Sequence, residues 1–204
     1  MLSSLQAGSK GEYIYDRTFR HQVLPRSVTR TLRIDDDVDE ALEKMARERG
    51  ESVNAIAAGA LRKLVEWDRL AANAGLVVVS PVTLGRLMDS QTVEQARALG
   101  EFVGKEVWKP IIVSRYGEVT LDSVLKSIEL IGRYMGRFNF IYSTDGTKRV
   151  VTIRHSGGIK WSAFYQGAAI PLFSGTLGID IKQTMTEELA SIEFETPENF
   201  VRGA

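Results

Sequence analysis

The stretch Thr29–Trp67, TRTLRIDDDVDEALEKMARERGESVNAIAAGALRKLVEW, decides the fold of the first third of the chain. Apolar and polar residues alternate from Val28 to Ile34, which is the pattern of a short strand. Beyond this segment, apolar residues recur at helical spacing in two runs that meet at Arg49-Gly50-Glu51. The sequence therefore predicts one strand followed by two amphipathic helices.

Residues suited to begin and end both helices stand at the expected positions. Asp35-Asp36-Asp37 supplies an N-cap and an acidic first turn, which interacts favourably with the positive end of the helix dipole. Gly50 is suited to end the first helix, and Ser52 is suited to cap the second. The apolar faces of the two helices are Val38, Leu42, Met45 and Ala46, and Ile56, Ala60, Leu61 and Leu64.

A unit of this kind needs a second copy of itself. A single strand has no partner, and about forty residues bury too little apolar surface to fold independently. In a dimer, the two strands pair antiparallel and the four helices share one core. A two-stranded ribbon fits the major groove of DNA, where its outward side chains face the base edges. The outward residues here are Thr29, Thr31 and Arg33, whose hydroxyls and guanidinium suit hydrogen bonding to bases.

Residues 29–66 resemble the ribbon-helix-helix family of transcriptional repressors and antitoxins, of the Arc/MetJ/CopG type. The run LEKMARE at Leu42–Glu48, together with Gly50 and Ser52, stands where family members commonly have these residues. The resemblance implies a homodimer that binds double-stranded DNA. It also implies base contacts from Thr29, Thr31 and Arg33, and phosphate contacts from the backbone amides of Ser52, Val53 and Asn54.

Two residues depart from the family pattern. Arg30 replaces the apolar residue expected at an inward position of the strand, so a register shifted by one residue stays open. Glu51 stands where an apolar residue is common, and its negative charge lies next to the proposed phosphate-binding helix start.

Charge is unevenly distributed along a chain whose net charge is zero. Residues 1–34 carry a net charge of +4, whereas residues 185–204 contain five glutamates against Arg202 alone. This asymmetry is typical of a DNA-reading unit joined to a domain that does not bind DNA. Residues 1–27 are interpreted as a basic N-terminal arm that is partly disordered, lies along DNA with Arg26 contacting a phosphate, or packs on the C-terminal domain.

The remainder of the chain predicts an α+β domain with a four-stranded sheet. The ribbon-helix-helix domain is placed at residues 28–74, the α+β domain at 76–197 and a tail at 198–204. Leu76–Val79 is interpreted as a buried strand or a strand that docks on the next domain. The other predicted elements are helices at 80–88, 92–107, 121–135 and 160–174, an interruption at Trp108-Lys109-Pro110, a hairpin around Asp145-Gly146, and strands at 179–185 and 189–194.

Residues that could carry chemistry are few in the α+β domain. The chain has no cysteine and only two histidines, His21 and His155, which lie in different regions. No nucleophile stands in a catalytic motif, and the sequence predicts no enzyme, no metal site and no cofactor. The loop His155-Ser156-Gly157-Gly158 is either an anion cradle or a plain strand-to-helix loop. Trp161, Phe164 and Tyr165 line a ligand pocket or belong to the core.

The order of elements in the last seventy residues resembles small-ligand sensor domains of the vinyl-reductase/haem-nitric-oxide type. This resemblance lies in topology alone, and no haem-ligation motif accompanies it. It implies that the α+β domain senses a small-molecule effector, and oligomerisation is the other role expected of this domain.

The sequence thus predicts a sequence-specific, dimeric DNA-binding transcriptional regulator. Two alternatives stay open: an architectural, nucleoid-type protein that coats DNA without sequence choice, and an assembly protein that only dimerises. The sequence has no apolar run of about 18 residues and no apolar signal-peptide core, so a cytoplasmic protein without a membrane span is expected.

Overall fold

The computed structural model describes residues 27–196. Contacts between residues divide the chain into two units, with the boundary between Arg33 and Ile34. Residues 27–35 form neither helix nor strand. The predicted strand Val28–Ile34 would form only by pairing with the same segment of a second chain, so it stays a prediction. Arg26, nearly all of the N-terminal arm, and the tail at 198–204 lie outside the described residues.

The two helices predicted after this segment are present as α1, Asp36–Arg49, and α2, Val53–Lys63. Gly50 ends α1 in the left-handed conformation, with φ of 66°. The Ser52 hydroxyl caps α2 by accepting a hydrogen bond from the amide of Ala55 at 3.1 Å. Both ends follow from residue types suited to those positions.

The second helix continues beyond residues 29–66, the stretch that resembles the ribbon-helix-helix family. A π-helical turn, Leu64–Asp68, leads directly into α3, Arg69–Asn73. In this turn the amide of Arg69 bonds to the carbonyl of Leu64, five residues back rather than four. The helix therefore carries Trp67 past the end of the ribbon-helix-helix pattern.

The segment Leu76–Val79 corrects one prediction. These residues form neither helix nor strand, and Val77 and Val78 are almost fully exposed. They belong to a short connection between α3 and α4, Pro81–Asp89. A run of β-branched residues favours a strand only where a pleated, half-buried surface is available to it, and this connection has none.

A second long helix runs through the predicted interruption at Pro110. It consists of α5, Val93–Phe102, a π-helical turn, Val103–Trp108, and α6, Lys109–Tyr116. Proline has no amide hydrogen, and its ring crowds the carbonyl four residues earlier in a regular helix. The wider π turn directly precedes Lys109-Pro110 and allows the helix to continue, so the predicted break is wrong. The next helix is α7, Leu121–Met135, with the predicted bounds.

The sheet is antiparallel, with strand order β1-β2-β4-β3. β1, Asn139–Asp145, and β2, Lys148–Arg154, form the predicted hairpin. β3, Lys182–Thr186, and β4, Leu189–Glu195, form a second hairpin, and β2 joins them by pairing with β4. The α+β class and the four-stranded sheet are therefore confirmed.

One face of the sheet packs on helices. The connection between the hairpins is α8, Ile159–Phe173, which contains Pro171 in its last turn. Alternate residues of β4 are buried against the helical layer, because successive side chains of a strand point to opposite faces. The main core joins α6, α7, α8 and the sheet through Ile112, Leu121, Val124, Leu125, Val151, Leu172, Phe173, Ile179, Ile192 and Phe194.

Helices α5 and α8 approach each other through glycines. A Cβ atom at Gly100 would overlap the carbonyl oxygen of Phe164, and one at Gly104 would overlap that of Ala168. The buried side of α5 therefore consists of small residues, Ala96 and Gly100, although larger apolar residues recur at helical spacing along this helix. Leu99 and Phe102 are exposed instead. No helix within residues 27–196 is long and apolar enough to cross a membrane.

Candidate nucleic-acid interface

The predicted base-reading residues lie in the segment that precedes α1. Thr29, Thr31 and Arg33 are exposed, and so are Val28 and Leu32, which belong to the opposite face of the predicted strand. In a single chain, both faces of this segment are therefore accessible. A second segment paired with it would cover the apolar face and leave the hydroxyls and the guanidinium outward.

The predicted phosphate-binding residues lie at the start of α2. Ser52 and Asn54 are exposed, and Val53 is half-buried. The amide of Ala55 is already bonded to the Ser52 hydroxyl. The amides of Val53 and Asn54 belong to the first turn of a helix, where no intrahelical acceptor exists, and they are oriented toward an approaching anion. The exposed Glu51 carboxylate precedes this turn and opposes such an anion.

Large aliphatic side chains are exposed near the start of α1 and along the second helix. Val38 in the first turn of α1 is exposed, and so is Ile34, which lies just before the helix. On the second helix, Leu61, Leu64 and Val65 are exposed, whereas Ile56 and Trp67 are buried. Large aliphatic residues at helical spacing normally face a core, and here they face solvent. These five residues are called the apolar stripes below.

The far end of the second helix is joined to the α+β domain. Trp67 is buried, and its ring stacks on Tyr134 of α7 with 5.9 Å between the centroids. The Tyr134 hydroxyl donates a hydrogen bond to the Glu66 carboxylate at 2.6 Å. This bond is the main reason that the pKa of Glu66 lies below its ordinary value. Burial, with a smaller contribution from Glu66, raises the pKa of Tyr134. Sequence reasoning missed this junction, since a tryptophan and a glutamate at a helix end form no motif.

His155 and Ser162 form a hydrogen-bonded pair in which the histidine does not activate the serine hydroxyl. His155 Nδ1 accepts from the amide of Gly157 at 3.1 Å, so Nε2 carries the proton of the neutral ring and donates to the Ser162 hydroxyl at 2.9 Å. Ser162 in turn donates to the carbonyl of Thr186 and is fully buried. Burial lowers the pKa of His155, and the nearby Glu188 carboxylate opposes this shift. A protonated Nε2 cannot act as a base toward Ser162, so the pair ties the loop to β3.

A carboxylate of the protein occupies the anion site that was considered for the loop 155–158. The amide of Ile159, at the start of α8, donates to the Glu187 carboxylate at 2.8 Å. The first turn of α8 thus already binds a negative charge from the turn between β3 and β4. This contact favours the alternative in which the segment is a strand-to-helix loop.

The aromatic residues of α8 pack on one another. Trp161 and Phe164 meet edge to face, and Tyr165 contacts both of them as well as Phe138. Burial raises the pKa of Tyr165 to about 12, although the nearby Arg137 guanidinium opposes this shift. The rings also pack with Met88 of α4 and Ala96 of α5 in one apolar cluster, which favours the core interpretation over a ligand pocket.

Metal-binding groups and sequence relatives were both sought. Within residues 27–196, no three histidine, aspartate or glutamate side chains are grouped so that they could hold a metal ion. No family model matches the chain, and no curated protein is detectably similar to it in sequence.

Proposed function

We propose that the protein is a sequence-specific DNA-binding transcriptional regulator that acts as a homodimer. Two copies would pair their segments around Val28–Ile34 into a ribbon that enters the major groove of double-stranded DNA. The observation that carries the proposal is the combination of this segment with α1 and α2, whose apolar stripes face solvent in the single chain.

The apolar stripes support a second copy as the partner. Complete burial of a large aliphatic side chain contributes about 1.5–3 kcal/mol, so even half of that for each of five side chains is a substantial driving force for association. Four of the five residues lie on the two helices that share a core in the proposed four-helix dimer, and Ile34 lies just before the first of these helices. A second copy supplies the same stripes, so the interface is self-complementary about a two-fold axis.

The exposed polar groups support DNA as the ligand. Thr29 and Thr31 offer hydroxyls, and Arg33 offers the planar guanidinium that pairs with the O6 and N7 atoms of guanine. The amides of Ser52, Val53 and Asn54 would bind a phosphate beside the groove. Arg26 would add a phosphate contact from the N-terminal arm, outside the described residues.

The test compares two arginine variants on an operator selected from genomic fragments. Arg33→Ala should weaken operator binding by roughly 1–3 kcal/mol at fixed salt, because it removes a bidentate base contact. Arg47→Ala is the matched control, since Arg47 is an exposed arginine of α1 that pairs with Glu43. The control should bind the operator as the unchanged protein does.

Two results would overturn the proposal. If operator and unrelated DNA bind with similar affinity at all salt concentrations, the protein is architectural, since a regulator should discriminate by about a thousandfold or more. If no fragment binds even at low salt, the strand-helix-helix unit serves only to dimerise.

The α+β domain has a place in the same proposal. It would oligomerise the regulator or respond to a small-molecule effector, and its helices α6 and α7 contact the helix that begins at the proposed phosphate site. Binding to α6 or α7 would therefore act on the second helix through direct contacts.

A further inference from the structure

We propose that Glu66 is a positioning residue that, with Arg115 and Tyr134, fixes the direction of the DNA-facing helix on the α+β domain. These three residues are called the Glu66 clamp. The DNA readout of this inference rests on the proposed function, whereas its structural readout does not.

The backbone of Glu66 provides the first half of the clamp. Arg115 of α6 donates from Nη1 to the Glu66 carbonyl at 2.8 Å, inside the π-helical turn. The Arg115 guanidinium is itself held, because its Nε donates to the hydroxyl of Tyr116 at 3.2 Å. A π turn inserted in an α-helix disturbs the regular series of carbonyl acceptors, and such turns are often found at functional sites.

The side chain of Glu66 provides the second half. Its carboxylate accepts the 2.6 Å bond from Tyr134 and forms ion pairs at 3.5 Å with Arg133 of α7 and with Arg62, one turn earlier in its own helix. Trp67, the next residue, stacks on Tyr134. One residue of the second helix is therefore bonded to α6 by its backbone and to α7 by its carboxylate.

The distance of the Glu66 clamp from the first turn of the second helix determines how far that turn moves when the helix tilts. Glu66 lies fourteen positions after Ser52, which is about 21 Å of helix at 1.5 Å per residue. If the helix tilted by about 10° at Glu66, its first turn would move by roughly 4 Å, which is more than a hydrogen bond to a phosphate tolerates. Fixing Glu66 thus fixes where the amides of Val53 and Asn54 can meet DNA.

A consequence follows for the dimer. Each of the two second helices would be held in one direction by its own α+β domain, so the distance between the two phosphate-binding turns would be set. The Glu66 clamp should therefore determine which spacing of half-sites is preferred. A contact that only stabilised the fold would alter unfolding without altering this preference.

The experiment uses the full chain with two conservative changes at the clamp. Glu66→Gln removes the charge and keeps the shape, and Tyr134→Phe removes only the hydroxyl that bonds Glu66. Glu43→Gln is the matched control, since it makes the same chemical change at an exposed ion pair on α1. The first measurement is amide hydrogen exchange, and the second is affinity for operators that differ only in half-site spacing.

In both clamp variants, exchange within residues 53–68 should rise about tenfold, while the amides of α8 and the sheet keep their protection. The ratio between the affinities for the best and the worst half-site spacing should fall about tenfold, toward one. The Glu43→Gln control should match the unchanged protein in both measurements.

Unchanged exchange in residues 53–68 would overturn the inference, as would an equal rise in all helices and strands, which is the mark of global destabilisation. Unchanged spacing preference would also overturn it. If the unchanged protein binds no DNA, the proposed function fails while the exchange measurement still decides whether the Glu66 clamp exists.

Discussion

The carbonyl oxygen of Phe164 in α8 occupies the space in which a side chain at Gly100 of α5 would begin. The same relationship recurs one turn later, where Gly104 faces the carbonyl of Ala168. Backbone thus lies against backbone where these two helices meet. The α+β domain depends on residues without side chains at this contact.

Gly100→Ala should therefore destabilise the protein. The new methyl group overlaps a backbone carbonyl, and separating the helices to admit it should cost about 1–3 kcal/mol of the free energy of unfolding. Gly85→Ala in α4 is the control, because a Cβ atom there meets nothing within 4 Å. In a helix interior that change should stabilise by roughly 0.5–1 kcal/mol. Denaturant unfolding measures both, and two changes of the same sign would contradict the close contact.

Leu61→Glu should convert the proposed dimer into monomers. Leu61 is 51% exposed in the single chain, so the charge is tolerated there, but it would be buried without a partner in the dimer. Leu87→Glu is the matched control, since Leu87 is a leucine of α4 that is 59% exposed. Analytical ultracentrifugation should show monomers only for the first variant. A dimer that survives Leu61→Glu would place the interface elsewhere.

The elements that the sequence predicts well begin, end or turn at residues whose contacts are with near neighbours in the chain. Thr120 caps α7 by accepting from the amide of Ser123, and Gly136 ends that helix with φ of 61°. The turn at Gly146 likewise joins β1 to β2 as its residue type indicates. Such signals depend on a few neighbouring residues, so they can be recognised without knowing the rest of the fold.

Other features depend on partners that are remote in sequence. Leu99 and Phe102 mark the obvious apolar face of α5, yet Gly100 and Gly104 lie against α8, because only glycine permits so close an approach. The junction at Glu66 is a further case, since its partners lie 49 and 68 residues away. The predicted strand Val28–Ile34 needs a second chain to pair with, so it stays a prediction.

His155 should titrate below its ordinary pKa of 6.5 in the folded protein, since burial disfavours its charged form. A lowered pKa gives stability that is present above about 6.5 and is lost as the pH falls through the folded value. NMR titration of the two histidines measures this directly, and His155→Gln identifies the signal. The His21→Gln variant is the control and should keep the low-pKa signal. A value above 6.5 for His155 would contradict the neutral ring that bonds Ser162.

Tyr134→Phe should raise the pKa of Glu66 toward its ordinary value of 4.5, because the lost hydroxyl is the largest cause of the lowering. In the unchanged protein this carboxylate contributes stability above about 4.5, and the contribution is lost as the pH falls through the lowered folded value. The variant should therefore lose less stability over the same acid range. Carboxyl-carbon NMR measures the pKa, with Tyr142→Phe in β1 as the control that leaves Glu66 unchanged. If Glu66 titrates identically in Tyr134→Phe and the unchanged protein, the 2.6 Å bond does not hold the two helices together in solution.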